Sequence, residues 1–308
     1  MPAPLAPPSI DRMTVDLAAA ERFLLENARL LDRHRYAHAF GVGVDRGTAA
    51  AAVVVALRAY LNADGGFGHA LEPDVRGPLS ETTATLHGLE VLEEVGRLDE
   101  PMVAGLASYV GSVADADGGV PFVLPGSLRY PRGPWMEPVE GGSHLTFGLA
   151  AVLRTAGQES PWLDAAEEWC WRRLAVLDEL SSYWVKYALT FLDAHPDEGR
   201  ARATIAALGA LVDDDGSVPV AGGTEGERLD LLTLAPRPGT RSRALFTDAQ
   251  VAAALDGLEA AQQPDGGWTF DWLPWSPAQT TEWRGLVTLR ALLVLRDHGR
   301  LPGATTGA

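Results

Sequence analysis

The sequence predicts an all-α protein, a closed (α/α)6 toroid built of helical hairpin repeats of about 50 residues. Three observations carry that expectation: one turn recurs at even spacing, Ala/Leu-rich helical segments flank it, and sustained alternating apolar patterns of the β-strand kind are missing. The turns are LNADGGFG at 61–68, DADGGVPF at 115–122, DDDGSVPV at 213–220 and QQPDGGWTF at 262–270. Their aspartates Asp64, Asp117, Asp215 and Asp265 stand 53, 98 and 50 residues apart, one period with a single mark missing near the middle. An Asp ahead of Gly accepts from its own backbone, and the Gly takes up positive φ, so a helix ends sharply there.

Taken in order, the chain opens on MPAPLAPPSIDRMTVD, with Pro and Asp where a secretory leader would place basic and then apolar residues, so export by that route is not expected. Residues 1–15 read as a flexible segment, and a first helix follows over 16–38. Outer helices near 48–62, 100–115, 160–176, 197–212 and 243–263 come next, most of them running into the turns. Inner helices near 80–96, 143–156, 179–194, a short 224–234 and 278–298 begin with polar caps. That makes eleven helices in one domain over 16–300, with 301–308 as a tail. Closure into a ring is expected over an open stack, because the last helix, Thr280 to Leu295, is as apolar as an interior one.

Composition sets outer bounds on function. The chain has 308 residues, 46% of them hydrophobic and 21% charged, which is enough to bury a sizeable core and argues against global disorder. A formal net charge of -16 argues against a general partner of nucleic acid or anionic membrane. The longest apolar stretch, Ala49 to Leu57, is nine residues, too short for a membrane span. The single cysteine, Cys170, removes disulfide scaffolds and cysteine-cluster zinc sites and fits a reducing compartment, so a cytoplasmic location is expected.

The runs QQPDGGWTF followed by AQTTEWRGLVTLRAL, and ALRAYLNADGGFG followed by SETTATLHGLEVL, resemble the repeats of the terpenoid cyclase and protein prenyltransferase superfamily, the squalene cyclase repeat with its QW motif. The likeness runs from about Ala49 to Leu295. It implies a toroid of six inner and six outer helices, in which Gln262, Gln263, Gly266, Gly267 and Trp268 clasp outer helices rather than catalyse. DGGFGHALEPDVRGP and DGGWTFDWLPWSPAQTTEWRG look like small single-barrel bacterial proteins called prenyltransferase-like, whose reaction is not established. The chain departs from the better-known relatives. It lacks the Asp, Cys and His zinc set of prenyltransferases, and its Asp213, Asp214, Asp215 run ends in Gly216, unlike the DxDD motif of class II cyclases. It also lacks a DDxxD run for magnesium diphosphate. No metal and no cofactor are therefore expected. His34 and His38 share a helix face but lack carboxylate support for a metal.

In a ring of hairpins the loops leading into the inner helices emerge on one face, and the long ones make a binding face. The longest are Phe67 to Leu79, Gly118 to Gly142 and Gly216 to Arg243. The first carries His69, Glu72, Asp74 and Arg76; a carboxylic acid in an apolar mouth gains a raised pKa and can act as general acid, or the acids can simply pair with Arg76. The second carries Trp135 and leads to His144, a base or proton shuttle near neutral pH, or a structural helix-start residue. Glu81 suits a helix N-terminus through the dipole alone. Trp268, Trp272, Trp275 and Trp283, with Asp271 and Glu282, wall a pocket or plug the ring. Arg237, Arg241 and Arg243 either bind an anion or offset Glu225, Glu227 and Asp230.

The resulting expectation is an enzyme acting by acid and base on a small apolar molecule. Glu72 or Asp74 gives a proton, His144 or Glu282 receives one, and His69, Arg76, Glu81, Trp135, Asp271, Trp272, Trp275 and Trp283 bind the substrate. The resemblance implies cyclisation or rearrangement of an isoprenoid-like molecule. A non-catalytic toroid that binds a ligand or protein, and a carbohydrate-active toroid with paired carboxylates, stand as alternatives.

Overall fold

Outer and inner α-helices alternate around a closed ring, in a computed structural model that describes residues 15–177 and 180–301. Most of the expected flexible segment 1–15 and of the tail 301–308 lies outside the described residues. The hairpin pairs are α1 (Leu17–Asn27) with α2 (Leu30–Phe40), α3 (Arg46–Leu57) with α4 (Thr82–Glu94), and α5 (Met102–Val113) with α6 (Leu145–Thr155). They continue with α7 (Pro161–Arg173) and α8 (Ser182–Ala194), α9 (Glu198–Leu208) and α10 (Leu231–Leu234), and α11 (Asp248–Ala260) and α12 (Pro277–Asp297). The fold is the all-α toroid of six hairpins.

Burial separates the two layers. Inner α6 is buried continuously from Leu145 to Leu153, whereas outer α11 buries a single stripe of Val251, Leu255 and Glu259, spaced four apart. A helix enclosed by neighbours must be apolar all round, and one facing water needs a single apolar stripe.

The segment expected as one helix over 16–38 is two helices. Ala28 ends α1 in an extended conformation (φ -77, ψ 155) and is 3% exposed, seated against Gly285 of α12. A Cβ on Gly285 would stand 3.1 Å from the Ala28 Cα, so tertiary packing sets the break, and no local Gly, Pro or Asp marks it. The short inner segment expected at 224–234 is α10 alone, preceded by a hairpin pairing Val218–Pro219 with Arg228–Leu229.

All four Asp-Gly turns share one construction. Asp64, Asp117, Asp215 and Asp265 accept through Oδ1 from the backbone N–H two residues on, at 3.0 to 3.1 Å. Gly65, Gly118, Gly216 and Gly266 follow with φ between 82 and 96. In three repeats the next backbone N–H but one donates to a threonine of the following inner helix: Phe67 to Thr85, Val120 to Thr146 and Trp268 to Thr288. In the fourth, Val218 is taken up by the hairpin instead.

The same turns join consecutive outer helices. A Cβ on Gly65 would meet Gly105 of α5, one on Gly118 would meet Ala165 of α7, and one on Gly266 would meet Ala19 of α1. The last contact closes the ring, and Gln262 strengthens it by accepting from the Asp16 N–H at 2.8 Å and donating to the Asp16 carbonyl at 2.9 Å. Trp268 is 2% exposed and donates its indole N–H to the Leu258 carbonyl. Among the described residues no helix is long and apolar enough to cross a membrane.

Candidate functional site at the ring mouth

The loops leading into the inner helices bond to one another at one mouth. Gly133 N–H donates to the Asp74 carbonyl and Arg76 N–H to the Pro131 carbonyl, both at 2.9 Å, which knits the first loop to the second. Thr224 Oγ1 donates to the Asp271 carbonyl, joining the third loop to the C-terminal one. Trp275 and Trp283 then tie the C-terminal region to Asp74. Inside the first loop, His69 and Ala70 both adopt left-handed φ, 54 and 59. Two consecutive non-glycine residues there carry backbone strain of the kind that clusters at functional sites. The strained bend is anchored by Leu71, fully buried, whose carbonyl accepts from Arg29 Nη1 at 2.8 Å.

Beyond that bend stand two neighbouring acids. Asp74 is 5% exposed and accepts from the Trp275 indole N–H through Oδ1 at 2.9 Å and from the Trp283 indole N–H through Oδ2 at 3.1 Å. Burial raises its pKa, while the donors, with Gln279 and Trp135 close by, pull against that rise. Glu72 is half-buried in the same mouth, and loss of solvent followed by the negative charge of Asp74 pushes its pKa well above the usual carboxylate range. Donors at both Asp74 oxygens favour its ionised form, and that charge favours a protonated Glu72.

Two N–H groups around this pair are buried and find no acceptor among the described residues: Arg29 Nη2 and Trp272 Nε1. Trp272 stacks on Phe270 at 4.5 Å and meets Trp283 edge-on at 5.0 Å. Buried donors are costly when unmet, so their concentration here marks a place where oxygen acceptors of a bound molecule fit.

The remaining expected residues take other positions. Arg76 is engaged with Glu282 in an ion pair. His69 is exposed, and its Nε2 bonds Asn62 Oδ1 at 2.9 Å, so it braces the turn. Asp271 is exposed, and its carbonyl rather than its carboxylate takes the bond from Thr224. Trp135 is 38% exposed at the rim. Glu81, at the start of α4, does more than answer the helix dipole: it is 2% exposed and accepts from the Leu124 N–H at 3.0 Å and from the Ser127 hydroxyl. Burial raises its pKa to about 6.

His144 sits in an aromatic cage of Phe122, Tyr183, Trp184 and Tyr187, with ring centroids 5.2 to 5.8 Å away. Burial, with Lys186 adding to it, pushes its pKa down to about 3. The expected role as a near-neutral shuttle does not fit, because the ring stays neutral through that range. Nor do the loop arginines offset Glu225, Glu227 and Asp230 as expected. Arg241 Nη1 donates to the Leu192, Asp193 and His195 carbonyls at the end of α8, Arg243 pairs with Asp248, and Arg237 approaches Glu93. Arg241 thereby supplies donors to carbonyls that lack an intrahelical partner at the helix end, and it also pairs with Glu198 at 3.3 Å.

Two charged residues of the hollow were not among the expected site residues. Lys186 of α8 lies with its Nζ over the Tyr187 ring at 4.7 Å, and Arg290 of α12 lies over the Trp283 ring at 5.6 Å. Arg290 is exposed although its chain neighbours Leu289 and Leu292 are fully buried, so the inner face of α12 borders open space. Its charge is felt by Glu72, Tyr183, Lys186 and Tyr187, which places it at the ring centre rather than on the outer wall. Two tyrosines four residues apart, with the lone lysine between them, were the available signal, SYWVKYAL.

No known protein family matches the chain, and no curated protein is similar to it. Solved structures do share its fold. A protein from Actinoplanes, 20% identical, matches over 92% of this chain and 100% of its own with a TM-score of 0.57. The type II terpene cyclase MstE from Scytonema, 13% identical in its apo form, matches over 92% of this chain and 98% of its own with a TM-score of 0.56. A variant of that cyclase bound to geranylgeranyl dihydroxybenzoate, its substrate, gives 14% identity and a TM-score of 0.57, covering 92% of this chain and 97% of its own.

Proposed function

We propose that the protein is an enzyme that cyclises or rearranges a small, largely apolar, isoprenoid-like molecule by metal-independent acid-base chemistry at the ring mouth. The observation that carries this reading is the Glu72–Asp74 pair, in which Asp74 is braced by two indole N–H groups and its neighbour Glu72 has a pKa raised by loss of solvent and by the Asp74 charge. Glu72 donates its proton to the substrate. The developing cation meets the π faces of Trp272, Trp275 and Trp283, which stabilise positive charge without offering a nucleophile. His144 serves as the terminal base. A carbocation is so strong an acid that a neutral imidazole suffices, even one whose pKa is about 3. Likeness of fold to a type II terpene cyclase supports the substrate class.

The test uses the full chain with linear prenyl alcohols and prenylated aromatic acids in deuterated water, read by mass spectrometry. Cyclisation started by protonation leaves a product isomeric with its substrate, one deuteron gained from the acid and one proton lost to the base. Glu72→Gln should remove that product by roughly 10²- to 10⁴-fold in rate, the ordinary contribution of a general acid. Retained turnover in the amide variant would sink the assignment of Glu72. Binding without turnover in the unaltered protein would favour the non-catalytic ligand-binding toroid.

A further inference from the structure

The chain holds 24 arginines and one lysine, and that lysine is Lys186, inside the ring. Wherever a fixed positive charge serves this protein on its described surface or in its ion pairs, arginine supplies it. The property that separates lysine from arginine is the ability to lose its proton and present a nitrogen lone pair. Lys186 has no carboxylate in ion-pair contact among the described residues, and its ammonium rests only on the Tyr187 ring. Its surroundings are Tyr183 and Tyr187 of its own helix, His144 at the start of α6 in the same aromatic cage, and Arg290 of α12, whose like charge opposes the ammonium. Glu90 of α4 and Glu72 of the first loop act in the opposite sense, and the charge of Glu227 is felt by Tyr183.

We infer that Lys186 is a nucleophilic amine of the ring hollow, and that the substrate it takes is a small apolar aldehyde or ketone, bound covalently as an imine. The nitrogen lone pair attacks the carbonyl carbon, a C–N bond forms, and the carbonyl oxygen takes up a proton while the nitrogen gives up one of its two, leaving a neutral carbinolamine. A second proton then lets that oxygen leave as water while the nitrogen loses its hydrogen, and the C=N bond forms. No oxidant or reductant is needed. Burial first, and then Arg290, push the Lys186 pKa down to about 8, so a usable share of free amine exists near neutrality. The dehydration step draws its proton from an acid in the same hollow. There the inference rests on the reading of Glu72 as a protonated acid; the nucleophilic step does not.

The experiment is reductive trapping of the full chain with benzaldehyde and cyanoborohydride at neutral pH, followed by peptide mapping. A single lysine makes the site unambiguous, with the α-amino terminus as internal reference. Lys186 should be labelled at least about tenfold faster in the folded chain than in the same chain unfolded in urea, because an ordinary lysine keeps its proton up to a pKa near 10. A ratio below that, or label confined to the α-amine, overturns the inference. Acylation by acetic anhydride reads the amine alone and should show the same preference for Lys186 in Glu72→Gln. Slower imine trapping in that variant then reports the acid. If trapping is unchanged by Glu72→Gln, the dehydration role falls while the amine stands; if acylation shows no preference, the amine falls while the Glu72 reading stands. Lys186→Arg, which keeps a cation in place, should retain the α-amine label alone.

Discussion

Two groups of buried acids sit on either side of Arg29, and they are built in opposite ways. Below the strained loop, Asp32 is fully buried between Arg29 at 2.8 Å and Arg35 at 2.9 Å, and Arg35 also holds Glu94 at 2.6 Å. Burial works against the Asp32 charge, yet the two guanidiniums together hold its pKa down at about 2. Above the loop, Glu72 and Asp74 stand with neutral indole donors and each other, so both rise. Both groups lie in low-dielectric surroundings. The difference is whether guanidiniums touch the carboxylate, and it separates a carboxylate that holds together the arginines tying α2 to Glu94 and Leu71 from an acid that keeps a proton to give.

The largest effect that would sharpen this contrast is on stability. Asp32→Asn leaves Arg29 and Arg35 buried with less opposing charge, and should destabilise the fold by about 3–5 kcal/mol, read from urea unfolding. The native pKa of Asp32 is depressed, so its stabilising contribution is present above the unfolded value near 3.8 and is lost as pH falls toward 2. An unchanged midpoint in the asparagine variant would mean that the cluster is not what fastens α2.

Glu72→Gln should show the reverse pattern: activity falls by about two to four orders of magnitude while the urea midpoint at neutral pH does not fall. A raised acid also carries the opposite sign of linkage. Its contribution is complete below the unfolded pKa and is lost as pH rises through the folded one, so the unaltered chain should lose stability from about pH 4.5 up to about 8 while the glutamine variant should not. If Glu72→Gln unfolds the protein as Asp32→Asn is expected to, the two groups are alike and the comparison fails.

The contrast also shows what was open to reading in the primary sequence. The ring was, because an Asp-Gly turn has local chemistry and recurs at even intervals, and Glu72 and Asp74 were, because they crowd one loop between two such marks. The break at Ala28 was not, since it depends on Gly285, which lies 257 residues away in the chain. For the same reason the indole donors could be named without their partner: Trp275 and Trp283 reach Asp74 across 201 and 209 residues. The sign of a carboxylate's pKa shift depends on which charges the fold brings alongside, and GHALEPDVRGP offers Arg76 as the obvious counter-charge, whereas the structure gives Arg76 to Glu282.

A smaller effect probes the donors. Trp283→Phe and Trp275→Phe each keep an aromatic wall and remove one N–H from Asp74. A hydrogen bond to a charged group is worth about 1.5–3 kcal/mol, so each change should raise the Asp74 pKa by about one unit or more. A less ionised Asp74 presses less on Glu72, and the limb of the pH-rate profile that reports Glu72 should move down. An unmoved profile in both variants would separate the indoles from the acid pair.

The smallest effect belongs to Glu81, which stands between the two extremes and so tests whether they form one scale. It is buried like Asp32, lacks a cation like Glu72, and has a backbone N–H and a hydroxyl as donors, with a pKa raised to about 6. Its folded value exceeds its unfolded one, so stability should fall by about 2 kcal/mol as pH rises from about 4.5 to about 6. Glu81→Gln keeps an acceptor for Leu124 or Ser127 and removes the ionisation, so it should cost about 1 kcal/mol or less at neutral pH and flatten that slope. Urea midpoints measured across this range in both proteins decide the matter. A slope that survives in Glu81→Gln would place its origin elsewhere, and donors without a cation would then not explain the intermediate position of this acid.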